Sequence, residues 1–243
     1  MRRHRDGVPA GADAKPTVDV DGDGQADTEW IATQIGADGA VTFGVTTASG
    51  ATFTSQLRSA SPVARSVLVA DVTGHGELIA VAGDGRQVLL YGISDCQLVP
   101  EQDQQGQQYA FDLGFTGFGT GVGCADVDGD SVADLVGLRA EDTTITSTVV
   151  RLDGPRATNG TSRTTEGATA AQVGAASQVS CGDRRWPPTG SPPGPERRAG
   201  DTRGVGPARL GLGCQRQRHD HHRPRASTQS RRTRGARAER PPP

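Results

Sequence analysis

Three short acidic segments constrain this chain more than any other feature: Asp19-Val-Asp-Gly-Asp-Gly-Gln-Ala-Asp27, Asp71-Val-Thr-Gly-His-Gly-Glu-Leu-Ile79 and Asp126-Val-Asp-Gly-Asp-Ser-Val-Ala-Asp134. They recur at steps of 52 and 55 residues. A further step of 57 reaches Asp183, where Val-Ser-Cys-Gly-Asp at 179–183 parallels Val-Gly-Cys-Ala-Asp at 122–126. Self-similarity with a period of this size means one supersecondary unit used several times, because a single such unit cannot bury its own apolar face.

Each acidic segment leads into β-type sequence. The first is followed by Thr28 to Thr33, a turn at Ala37-Asp-Gly39, and Ala40 to Thr46. The second leads to Leu78-Ile-Ala-Val-Ala82, Gly83-Asp-Gly85 and Gln87 to Tyr91, and the third to Leu135 to Leu138, Glu141-Asp142 and Thr143 to Leu152. Apolar and β-branched runs broken by Asp-Gly turns are hairpin signals. Ser66-Val-Leu-Val-Ala70 and Val122 to Ala125 read as strands entering the second and third loops. No part of the body shows a helical period. A unit of strand, acidic loop, hairpin and connecting strand has the size of one four-stranded propeller blade. The sequence therefore predicts an all-β fold, a partial β-propeller of about three antiparallel blades with calcium loops, followed by a disordered tail. The expected boundaries are a flexible segment at 1–16, repeats at 17–183 and the tail at 184–243.

The loops carry the chemistry. Asp19, Asp21, Asp23 and Asp27 occupy positions one, three, five and nine, and Asp126, Asp128, Asp130 and Asp134 repeat that spacing. Alternation in a tight loop turns every second side chain toward one centre, and hard Ca2+ takes six to eight oxygens. The backbone carbonyls of Gln25 and Val132, at position seven, are expected to complete the two sets, with water filling the remainder. Oxygen-only ligands disfavour zinc and copper. Gly22, Gly24 and Gly129 supply the positive φ such a loop needs, while Ser131 stands where the first loop has its second glycine. In the middle segment His75 and Ile79 replace carboxylates, so it is expected to be a tight turn and not a calcium site. An EF-hand would need a bidentate glutamate at position twelve and flanking helices. Trp30 and Gly137 stand at position twelve instead.

Taken together, Phe118-Gly119, Val122, Asp126-Val-Asp-Gly-Asp130 and Asp134-Leu-Val136 resemble the FG-GAP repeats, also grouped with VCBS repeats, of integrin-α-like β-propellers. The first repeat resembles the family in its loop alone, and the second is degenerate. The resemblance covers roughly residues 17–183. It implies calcium loops at one rim of a propeller, commonly seven-bladed, in secreted or cell-surface proteins that serve adhesion or bind a protein or carbohydrate ligand. A seven-bladed parent needs about 385 residues at this spacing, and the repeats here supply little more than three units.

Composition divides at Asp183. Residues 1–183 hold 11 Lys+Arg against 24 Asp+Glu, whereas 184–243 hold 15 Arg against 4 acids, ten of the 15 prolines, and no Phe, Tyr, Ile or Met. Such a segment cannot bury enough apolar surface to offset chain entropy. Its Arg, Pro, Gly and Ala richness is what a GC-rich gene yields out of frame, so the tail is expected to be disordered and a product of truncation or frameshift. Its arginines show no aromatic interleaving, which argues against a nucleic-acid partner. No apolar run is long enough for a membrane span, and the N-terminus as written is not a signal peptide. Cys96, Cys124, Cys181 and Cys214 form no C-x-x-C pair; their pairing stays open. No nucleophile, zinc or phosphate motif occurs in 1–183, so the chain is expected not to be an enzyme. The alternatives are the accessory propeller of a secreted hydrolase or lyase, or a structural spacer. Asn159-Gly-Thr161 forms a sequon and His219-Asp-His-His222 a potential chelating cluster.

Overall fold

The computed structural model describes residues 7–61, 63–114 and 120–186. Among the described residues three antiparallel sheets of four or five strands follow one another along the chain, with a two-stranded sheet after them, none of them closed. The first runs in sequential order through β1 (Asp13–Pro16), β2 (Thr28–Ile31), β3 (Ala40–Thr46) and β4 (Thr52–Arg58). The second contains β5 (Ser66–Asp71), β6 (Leu78–Gly83), β7 (Gln87–Ser94) and β8 (Gln97–Pro100), with β9 (Ala110–Asp112) also pairing with β7. The third comprises β10 (Thr120–Ala125), β11 (Asp134–Glu141), β12 (Thr144–Asp153) and β13 (Arg156–Thr165). Each acidic segment connects two neighbouring strands of one sheet, as the repeat pattern predicts. Phe118-Gly119 lies outside the described residues.

The second sheet is buried on both faces. Successive strand residues point to opposite sides, and here the two sides serve different cores. Val67, Val69, Ala80, Ala82 and Tyr91 join Ile31, Phe43, Val45 and Leu57 of the first sheet. Leu68, Ala70, Ile79, Val81, Val88 and Leu90 join Val122, Leu135 and Val150 of the third. That is why the sequences of β5 and β6 are continuous apolar runs and not an alternation with polar residues. The Phe43 and Tyr91 rings meet edge to face at 5.2 Å across the first core.

Three expectations are corrected. Residues 13–16, expected to be flexible, form β1, in which Ala14 pairs with Trp30 and Pro16 with Thr28. Pro16 is admissible there because β1 is an edge strand. The body, expected to lack helix, contains α1 (Ala170–Ala176). Its cause is local: Thr169 caps it reciprocally, its hydroxyl accepting from the Gln172 N–H and its own N–H donating to the Gln172 side chain, over an alanine-rich stretch of high helix propensity. Finally, the packed body does not stop at Asp183. β14 (Ser180–Cys181) and β15 (Arg184–Arg185) pair, and Trp186 packs against the second core. The remainder of the expected tail, 187–243, lies outside the described residues.

The β15 contact is electrostatic as well as apolar. Glu29 is fully buried, and its carboxylate takes Arg184 at 2.8 Å, Lys15 at 3.1 Å and the Val69 N–H at 2.7 Å. Arg184 also donates to the Pro16 carbonyl. A charge removed from water needs such compensation, so one carboxylate joins β1, β2, β5 and β15.

Consecutive units meet at equivalent residues. The Thr17 hydroxyl donates to the Val69 carbonyl, 52 positions on. Val122 and Val179 form a parallel bridge, and Cys124 and Cys181 form a disulfide across a separation of 57 with Cα atoms 4.7 Å apart. These separations equal the repeat steps read from the sequence. At Gly121 of β10 the backbone leaving α1 comes so close that a β-carbon would collide with the carbonyls of Ala176 and Gln178 and stand 2.8 Å from the Gln178 nitrogen. Backbone cannot yield as a side chain tip does, so Gly121→Ala is expected to cost about 1–3 kcal/mol. Gly137→Ala, whose β-carbon would sit 3.5 Å from the Phe111 ring, is expected to stay within about 1 kcal/mol. Chemical denaturation of the two variants checks this contrast.

Candidate metal loops

The three acidic loops share one backbone conformation. Gly22 and Gly24 have φ of 74° and 84°, Gly74 and Gly76 have 71° and 98°, and Gly129 and Ser131 have 88° and 71°. Ser131 thus holds the left-handed geometry that glycine adopts freely and L side chains resist. The loops also share a hydrogen-bond scheme. The first aspartate accepts from the N–H five residues on: Gly24 to Asp19 at 2.7 Å, Gly76 to Asp71 at 2.8 Å, Ser131 to Asp126 at 3.0 Å. The third-position side chain accepts from the N–H two residues on, whether it is Asp21, Thr73 or Asp128. The middle loop therefore keeps the turn and its first aspartate, Asp71, without the carboxylates at positions three, five and nine.

In the first loop one oxygen each from Asp19, Asp21 and Asp27 lies within 4.8 Å of the others. Asp21 and Asp27 are 8% and 1% exposed. Asp27 stands at the head of β2, where it accepts from the Val20 N–H at 2.7 Å and the Ala48 N–H at 2.8 Å. Asp21 accepts from the Ser49 hydroxyl at 3.3 Å. Ala48 and Ser49 belong to the β3–β4 turn, so a second loop supports the first. Nothing in the repeat spacing points to them. Asp23 falls outside the trio; it accepts from the Gln25 N–H at 2.8 Å and the Gln25 side-chain amide at 3.4 Å.

The third loop brings together Asp126, Asp128 and Asp130, all exposed. Asp134 falls outside that trio and accepts from the Val127 N–H at 3.0 Å, the counterpart of the Val20 to Asp27 bond. The Val132 N–H donates to Asp130 at 2.7 Å, as Gln25 does to Asp23. At position nine of the middle loop Ile79 is 1% exposed and belongs to the core shared with the third sheet. Position nine thus points inward in both the first and the middle loops. A carboxylate there must be satisfied by backbone N–H groups, and an isoleucine needs no such partners.

Electrostatics sets the first loop apart. Burial above all, then the Asp23 and Asp19 carboxylates, holds Asp21 above the ordinary carboxylate range, against the opposing pull of its hydrogen bonds. Burial likewise pushes Asp27 up, opposed by the Val20 and Ala48 N–H bonds and assisted by Asp21 and Asp19. Between the second and third loops, Glu77 is raised by burial first and then by Asp71 and Asp134. All-oxygen donors, closely set and mutually repelling, suit a hard divalent cation. Asp19, Asp21 and Asp27 would hold it in the first loop and Asp126, Asp128 and Asp130 in the third.

Comparison with family models, with curated proteins and with solved structures finds no match for the chain.

Proposed function

We propose that this chain is a calcium-binding β-propeller repeat module of the FG-GAP/VCBS type, a non-catalytic part of a secreted or cell-surface protein that serves adhesion or ligand binding. The observation that carries the reading is the pair of carboxylate trios, Asp19/Asp21/Asp27 and Asp126/Asp128/Asp130, on loops of matching backbone geometry at repeat spacing. Supporting it, successive units meet at equivalent residues, Thr17 with Val69 and Val122 with Val179. Placing equivalent strands side by side is what radial repetition requires. The Cys124–Cys181 disulfide suits an oxidising compartment.

Calcium at these loops would act as a staple. Neutralising three clustered carboxylates removes their repulsion only in the folded loop, and so links metal occupancy to the geometry of the adjoining hairpin. Titration calorimetry of the full chain should find two calcium ions per molecule, with dissociation constants of about 10⁻⁴ to 10⁻³ M, as in extracellular modules. Binding at the first loop should weaken on acidification, because Asp21 and Asp27 take up protons at higher pH than ordinary carboxylates do. Heat at only one site, or none, would count against the reading. So would a third site lost in Thr73→Ala.

A further inference from the structure

Glu101 is 2% exposed and has no role in the loops. It follows β8, at the place where β7 changes partner from β8 to β9: Tyr91 pairs with Pro100 and Leu89 with Ala110. Its N–H donates to the Leu90 carbonyl and its carbonyl accepts from the Tyr109 N–H. Its carboxyl turns inward against Gly92, where a β-carbon would collide with Oε1. Oε2 is buried with no hydrogen-bond partner. The next residue crosses to the third sheet: the Gln102 N–H donates to the Pro155 carbonyl at 2.8 Å, and its carbonyl accepts from the Ala157 N–H at 2.9 Å. The Tyr109 hydroxyl bonds Asn159 from the other end of the same loop, beside an open groove of about 400 Å³ lined by Phe111, Thr148 and Arg139 as well.

We infer that Glu101 is a proton-controlled latch: as the neutral acid it holds the 101–109 loop of the second sheet on the β12–β13 turn of the third, and its ionisation loosens that clasp. Burial pushes its carboxyl up to about 7, opposed only by the Gly92 N–H. The charged groups on surrounding elements do not counter this. β7 and β8 carry no acidic or basic residue. In the loop Asp103 is occupied by the Gln105 and Gln107 N–H groups, and in β9 Asp112 accepts from Gly114. Arg58 of β4 is bonded to Asp38 and Gln56, and Asp153 and Arg156 stand opposite each other at the β12–β13 turn. None of these contributes to the Glu101 shift.

The sign follows from linkage. A group whose folded value is raised keeps its proton in the closed state after the open state has lost it, so closure is favoured at low pH and weakens as pH rises toward about 7. Above that value the loss is complete. Hydrogen exchange on the full chain, read at the Tyr109 and Ala157 amides and corrected for intrinsic rates, should show an opening constant that grows by up to about tenfold per pH unit from about pH 5 to 7 and then levels. Glu101→Gln keeps the shape without the proton and should abolish that slope. Carbon NMR of the wild-type carboxyl gives an independent reading and should titrate near neutrality. An ordinary carboxylate midpoint, or an unchanged slope in Glu101→Gln, would overturn the latch.

Discussion

Calcium at a hundredfold excess over the dissociation constant, about 10–100 mM for the affinities expected here, is expected to raise the stability of the full chain by about 2.7 kcal/mol for each occupied loop, since a ligand bound only by the folded state stabilises by RT ln(1 + [L]/Kd). For a folded body of this size that is about 5–10 °C in thermal midpoint per site. The quantity to compare among variants is the calcium increment and not the midpoint itself. Asp21→Ala also removes acceptors for the Ser49 hydroxyl and the Asp23 N–H, and so costs about 1 kcal/mol or more without metal. Its increment should fall to that of one site. Asp128→Ala should do the same at the other loop, and the double variant should lose the response. Thr73→Ala removes only the acceptor for the His75 N–H, so it should lower the baseline slightly and leave the increment intact. A midpoint indifferent to calcium in the wild-type chain would reduce all three loops to ordinary turns.

The β-strands were legible because the chain punctuates itself. Asp38-Gly39, Asp84-Gly85 and the acidic loops fall between apolar runs, and Ala40–Thr46, Leu78–Gly83 and Gln87–Ser94 form where those runs stand. The repeat step was legible for the same reason, and the structure sets residues one step apart against each other at Thr17 and Val69 and at Val122 and Val179. What the sequence could not disclose were partnerships with no local signature. Glu29 sits in a strand of four residues, and its partner Arg184 lies 155 positions away, in a segment whose composition resembles the proline-rich tail. The Ala48 and Ser49 support of Asp27 and Asp21 depends on a turn in another hairpin folding back over the loop. Glu101 stands before a glutamine-rich loop with no motif around it, and it is buried where β7 changes partner from β8 to β9. The capping box Thr169 to Gln172 was present in the sequence. The periodicity that would expose a helix, however, needs more than the seven residues of α1.

A large covalent contribution is expected from the Cys124–Cys181 disulfide. Closing a loop whose ends are 57 residues apart removes unfolded-state entropy worth about 4 kcal/mol in the chain-entropy model. Cys181→Ser should therefore lower the thermal midpoint by about 8–16 °C in a body of this size, and Cys124→Ser should match it. The double variant should lose no more than either single one, because both remove the same link. The damage should be local in origin. Cys181 lies between Val179, bridged in parallel to Val122, and Arg184, which reaches Glu29. Without the link, exchange protection should fall first at the Val122 amide, which donates to Gln178, and at the Trp186 amide, which donates to Val179. The Val69 amide, held by Glu29 between the first two sheets, should keep its protection longer, provided Lys15 still compensates the buried charge. If instead Val69 and Trp186 lose protection together, Arg184 is indispensable to the buried carboxylate, and the first sheet and the β14–β15 pair open as one. If Cys181→Ser costs less than about 1 kcal/mol, the chain-entropy expectation for this link fails and residues 178–186 are held by the Val122–Val179 bridge, the Arg184–Glu29 pair and Trp186 instead.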